Sequence, residues 1–204
     1  MKLLEFNVAC DPEAAHLIFS TRELAARTTM IPLDVTHQVL ATEEVQKLLL
    51  HGKGFPKPPG INSAKQSSNL RTMLVELLNY FAYTYATVFG ITAGPPLHDP
   101  LAVAVILDGI PEHEIPFYDY VEGQEGRQER YEVSVVTQGT HEDAVKGETQ
   151  TGRTVVKMLD KGERGVRIPR GLDVQRFWGT LEECLERADD KIRRDRMLAA
   201  SGES

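Results

Sequence analysis

The sequence predicts an α/β chain, on three observations. Two long segments, residues 70–89 and 173–196, carry apolar side chains at helical spacing. Two short apolar runs, residues 3–9 and 30–33, have the length and composition of strands. Between residues 131 and 169, three β-rich runs are separated by Gly139, Gly147, Gly162 and Gly165, which suits a small antiparallel meander rather than crossovers.

Residues 3–9 read as a strand with Glu5 and Asn7 on one side and Leu4, Phe6 and Val8 on the other. Asp11-Pro12-Glu13 then opens a helix: Asp caps it, Pro takes the first turn and Glu complements the dipole. Met30-Ile31-Pro32-Leu33 reads as a buried strand, with Asp34-Val35-Thr36-His37 at its C-terminal end, where α/β sheets place ligands. Thr42 caps a helix running to Leu50. Glycines and prolines between His51 and Asn62 mark an irregular loop. The helix that follows has an expected buried stripe of Leu70, Met73, Leu74, Leu77, Phe81, Tyr85 and Val88, and Gly90 can end it. Asp99 is the expected cap of a short helix, with Pro100 at its first position and His98 in the preceding loop. The strand candidates are residues 131–137, 152–158 and 165–169. The C-terminal helix buries Val174, Phe177, Trp178, Leu181, Leu185, Ala188 and Ile192, with Cys184 on the same face. Residues 199–204 read as a disordered tail.

With 204 residues, 41% hydrophobic and 26% charged, the chain is long enough to bury a core. Its net charge of −7 disfavours nucleic acid or an anionic membrane as a partner. Two cysteines make neither a disulfide framework nor a zinc site, so a reducing, cytoplasmic setting is the default. There is no P-loop, no Gly-x-Gly-x-x-Gly and no Gly-x-Ser-x-Gly pattern. Two polar pairs stand out. Glu5 and Asn7 offer acceptors and a donor suited to sugar hydroxyls. His98 can exchange a proton near neutral pH, and Asp99 can give one oxygen to a hard cation. On residue chemistry alone, a capped helix beside a histidine is the better explanation of His98-Asp99-Pro100.

Three segments change that balance. Leu4-Glu5-Phe6-Asn7-Val8-Ala9-Cys10-Asp11-Pro12-Glu13-Ala14-Ala15 resembles the A-E-F-N-x-x-x-D-P-E-A-A stretch of the inosine/uridine-preferring nucleoside hydrolases. Pro32-Leu33-Asp34-Val35-Thr36 resembles their P-L-D-V-T segment, and Gly94 to Pro100 their G-x-P-L-H-D-P motif. The order matches too, and the insert at residues 139–144 resembles the fungal uridine nucleosidase branch.

The resemblance implies an open, mostly parallel sheet flanked by helices, and hydrolysis of a ribonucleoside to ribose and free base, as in nucleoside salvage. By position, Glu5 and Asn7 would hold ribose hydroxyls, and Tyr85 and Phe81 would flank the base. Asp99 would be a Ca²⁺ ligand, with His98 beside the base as proton donor. The family also forms homo-oligomers. Its Asp-rich D-x-D-x-x-x-D-D motif, which supplies most calcium oxygens, is not in this sequence. Residues 1–204 are therefore expected to be a single domain corresponding to the C-terminal half of such an enzyme, truncated and inactive alone. The alternative is a non-catalytic remnant or interaction subunit of the same fold.

Overall fold

The computed structural model describes residues 6–53, 68–120 and 129–202. In chain order these form α1 (Phe6–Cys10), α2 (Pro12–Ser20), α3 (Arg22–Ala25), α4 (Leu33–Thr36), α5 (Glu43–His51), α6 (Asn69–Phe89), α7 (Asp99–Ala104), β1 (Phe117–Tyr118), β2 (Tyr131–Val135), α8 (His141–Lys146), β3 (Thr154–Met158), β4 (Gly171–Leu172) and α9 (Val174–Ser201). Helices thus alternate with two small sheets, β1 with β4 and β2 with β3, an α/β arrangement. The residues fall into two compact units: Met1–Pro32 with Tyr118–Gly171, and Leu33–Phe117 with Leu172–Ser204.

The first unit is built on the β2–β3 hairpin, antiparallel with Tyr131 opposite Met158 and Val135 opposite Thr154. Along β2, Tyr131, Val133 and Val135 are buried while Glu132 and Ser134 are exposed, as period-two alternation requires. The core joins Ala25, Tyr131, Val133 and Val166, with Phe19, Met30 and Ile168 packed against it. Asp11 caps α2 as expected, its carboxylate accepting the Ala14 N–H at 2.9 Å.

Three expected strands in this unit need correction. Residues 6–10 form the short helix α1 instead, which buries Val8 and Ala9. Ala9 lies so close to Gly152 that a Cβ on that glycine would stand 2.9 Å from its Cα. The run 30–33 forms no strand: Thr29 makes a single parallel bridge to Arg167, and Pro32 has no N–H to continue a ladder. Residues 165–169 likewise make only bridges, Val166 to Tyr131 and Arg167 to Thr29. Pro169 ends any further pairing there. Helices α3, α4 and α8 were not expected; α8 is nucleated by a capping box in which the Thr140 hydroxyl and the Asp143 carboxylate each accept the other's backbone N–H.

The second unit packs α5 and α9 against α6 or each other. Thr42 caps α5, Ser68 caps α6, and Gly90 ends α6 in the left-handed region at φ 71°. The buried side of α6 differs from the expected stripe. It carries Arg71, Val75 and Leu78, whereas Met73, Leu77, Phe81 and Val88 are exposed. The helix is apolar on most of its circumference, so spacing alone does not select the side that packs. A charged group selects it. The Arg71 guanidinium donates to both Glu182 oxygens at 2.8 and 3.0 Å, to Asp189 at 2.6 Å and to the Leu49 carbonyl at 2.6 Å. Glu182 is fully buried on α9 beside Phe177, Trp178 and Leu185. Cys184 is exposed rather than in the core, with its sulfur accepting from Arg187. The α9 helix continues through Ser201, into the segment read from sequence as a tail.

Burial alone would raise the Asp189 pKa, but hydrogen bonds from Arg71 and Ser68 bring it below the ordinary carboxylate value of 3.8. A carboxylate with a depressed folded pKa contributes stability that is present above its unfolded pKa and is lost as pH falls through the folded one. Asp189→Asn should therefore flatten the fall in stability below about pH 4. Urea midpoints measured from pH 5 downwards check this; parallel curves for variant and wild type would contradict it.

Candidate functional site

The site is assembled by two backbone segments in the second unit. Residues 39–41 run antiparallel to residues 95–97. Ala41 N–H donates to the Pro95 carbonyl at 2.9 Å, Leu97 N–H to Val39 at 3.0 Å, and Leu40 bridges Pro96. This pairing is possible because residue 94 is glycine. Its φ is +147°, and a Cβ there would stand 2.4 Å from the Ala41 carbonyl oxygen. Val39, Ala41 and Pro95 are buried, so the pairing is anchored in the core.

The consequence is that His98, which follows the paired segment, lies beside Thr36 at the end of α4. Its Nδ1 is 2.8 Å from the Thr36 hydroxyl, and its Nε2 is 2.7 Å from the Tyr85 hydroxyl on α6. Both imidazole nitrogens are therefore engaged by hydroxyls 62 and 13 residues away in sequence. The His37 ring is 5.7 Å from that of His98, and the Tyr85 ring 5.8 Å. Tyr85 also packs on Phe89 at 5.4 Å.

Electrostatics follow from this packing. Burial, then the neighbouring His37, lowers the His98 pKa below its ordinary value, with Asp99 pulling partly the other way. Near pH 7 the ring is neutral. Burial, then the Asp99 charge, raises the Tyr85 pKa, so the phenol keeps its proton. The cluster is a neutral hydrogen-bonded chain of hydroxyl, imidazole and hydroxyl, able to hold or move a proton.

The residues expected from sequence fall out as follows. His98 and Tyr85 are brought into contact. Asp99 is exposed and opens α7 rather than capping it; His98 takes the cap position, without a side-chain capping bond. Phe81 stands one turn before Tyr85 on α6, 43% exposed, with its ring edge-on to Tyr80. Asn7 is exposed on α1 in the other unit. Glu5 lies outside the described residues. Thr36 was the omission: the run ending in Thr36-His37 marked a ligand-bearing segment, but nothing in it indicates a partner 62 residues on.

Residues 1–179 match the family model described as inosine-uridine preferring nucleoside hydrolase. This chain belongs to that family. Proteins similar to this chain include the "Uridine nucleosidase" of Saccharomyces cerevisiae, 30% identical over 91% of this chain and 48% of the relative. The "Inosine-uridine preferring nucleoside hydrolase" of Crithidia fasciculata is 27% identical over 91% and 47%. The chain thus spans about half the length of the curated relatives it matches. Among solved structures, the "Purine-Preferring Ribonucleoside Hydrolase from Gardnerella vaginalis" shares the fold, with a TM-score of 0.57 at 24% identity, covering 89% of this chain and 46% of that one.

A metal is expected in this family, and the donor set of the chain can be tested against it. Among the described residues, no three His, Cys, Asp or Glu side chains gather to hold an ion. Asp99 offers one carboxylate where Ca²⁺ takes six to eight oxygens. The described residues of this chain therefore do not fit a Ca²⁺ site by themselves. No described helix is long and apolar enough to cross a membrane.

Proposed function

We propose that this chain supplies the nucleobase-facing part of a ribonucleoside hydrolase site, the reaction being cleavage of the N-glycosidic bond to give ribose and free base. The observation that carries the reading is the Tyr85–His98 contact at 2.7 Å on the Gly94–Pro100 loop. Cleaving an N-glycosidic bond leaves charge on the departing base, and a proton delivered to it lowers the barrier. His98 and Tyr85 are the groups here that hold protons with pKa values set by burial. Tyr85 and Phe81 offer aromatic faces to a flat base. Glu5 and Asn7 are assigned to ribose hydroxyls, and Asp99 to one oxygen of a Ca²⁺ shell completed elsewhere. Uridine is the first substrate to test, since the Saccharomyces relative carries that name.

The test is a titration of the purified chain with uridine, inosine and ribose in the presence of Ca²⁺, followed by NMR of the aromatic rings. Uridine or inosine is expected to move the Tyr85 and His98 signals, and ribose to leave them in place. His98→Ala should weaken nucleoside binding by about tenfold, the worth of one good hydrogen bond. If neither nucleoside moves either ring, the reading fails. Reducing-sugar release is expected to stay at background, because one carboxylate does not hold the metal. Turnover abolished by His98→Ala would show instead that the chain is active alone.

A further inference from the structure

We propose that Thr36 is a positioning residue that holds neutral His98 in its Nδ1–H tautomer, leaving Nε2 as the acceptor of the Tyr85 hydroxyl proton. The inference rests on where each proton can go. Thr36 is 3% exposed, so its hydroxyl has no access to bulk water. That hydroxyl carries one hydrogen, and it donates to the Leu33 carbonyl one helical turn back, at 3.3 Å. A Thr hydroxyl closing on the preceding turn in this way is its ordinary helical bond. With its hydrogen on Leu33, the oxygen facing His98 at 2.8 Å presents lone pairs, and Nδ1 brings the hydrogen to that contact. A neutral imidazole has one N–H, so Nε2 carries a lone pair. The Tyr85 hydroxyl, 2.7 Å away, supplies the hydrogen for that contact. The chain of donation then runs from Tyr85 to His98 to Thr36 to Leu33, every hydrogen with an acceptor.

This deepens the proposed function and rests on it for its catalytic meaning. In this tautomer His98 has no proton on the nitrogen that meets Tyr85, so resting His98 is an acceptor there. The one Tyr85 hydrogen is held by Nε2, so the pair faces outward with the lone pairs of the phenol oxygen, and His98 delivers a proton only after Nε2 has been loaded. Thr36 touches neither base nor sugar in this account; it acts through His98.

The tautomer is read directly from ¹⁵N shifts of the His98 ring at about pH 8, where an ordinary imidazole is neutral. Assignment is by loss of the signals in His98→Asn. Wild type is expected to show a pyrrole-like Nδ1 and a pyridine-like Nε2. Thr36→Val keeps the volume but removes the acceptor, and the ratio of Nδ1–H to Nε2–H forms is expected to fall by about tenfold. Thr36→Ser restores the hydroxyl and should restore the ratio. A wild-type ring protonated on Nε2 overturns the proposal, as does a Thr36→Val ring with unchanged shifts. The wild-type spectrum decides the first point even if Thr36→Val fails to fold. A failed nucleoside titration would sink the hydrolase reading and leave the tautomer result standing, so the two failures are distinguishable.

Discussion

Arg71→Ala is expected to cost the second unit about 3–5 kcal/mol of stability, the range for leaving buried charges without their partner. Arg71 and Glu182 have side chains only 5% and 0% exposed, and Asp189 is 19% exposed on the other side of the guanidinium. Removing the cation leaves Glu182 facing the protein interior with neither water nor a positive group. It also frees the Leu49 carbonyl that Arg71 satisfies at the end of α5. The network itself is weak evidence for stability. Replacing both partners together, Arg71→Met with Glu182→Leu, should recover most of the loss, because an apolar pair avoids the desolvation of both ions. Urea unfolding monitored at Trp178, which is buried on α9 near Glu182, reads the effect. A loss below about 1 kcal/mol for Arg71→Ala would mean that Glu182 finds water or another donor.

Gly94→Ala is expected to cost on the order of 3 kcal/mol, from backbone strain and overpacking together, and to separate His98 from Tyr85. The added Cβ would meet the Ala41 carbonyl oxygen at 2.4 Å and its carbon at 2.7 Å, both backbone atoms held in the buried pairing. The segment must move away, and His98 follows it. Gly90→Ala is the control. Its φ of +71° is also left-handed, but nothing lies within 4 Å of the added methyl, so only the conformational cost of about 1 kcal/mol applies. The discriminating readout is the Tyr85–His98 contact in aromatic NMR spectra. It should be lost in Gly94→Ala and kept in Gly90→Ala; loss in both, or in neither, would place the anchor of His98 elsewhere than at Gly94.

The sequence by itself determined the elements whose causes are local. Asp11 and Thr42 cap helices because each carries its own acceptor to an N–H group three residues ahead. Gly90 ends α6 because it alone tolerates the turn there. The alternation of β2 was visible because its period follows from the pleat. The family was legible for a different reason: the segments at residues 4–15, 32–36 and 94–100 keep residue types in order, which requires no knowledge of packing, and the family model covers residues 1–179.

Tertiary structure decided which side of α6 is inside and what His98 touches. Spacing put Met73, Leu77 and Phe81 in the core, but a salt bridge to a buried Glu182 on α9 turned Arg71, Val75 and Leu78 inward. No local rule places an arginine in a core, because its partner lies 111 residues away. Residues 6–10 form a helix where alternation suggested a strand, and Ala9 on it lies against Gly152, far along the chain. At the site, His98 and Tyr85 were singled out from sequence, but Thr36 was not. Its role exists only because residues 39–41 pair with residues 95–97 and close the distance. Chemistry that depends on which nitrogen holds a proton is set by such long-range contacts, and a linear reading carries the residue types without the neighbours that choose between their states.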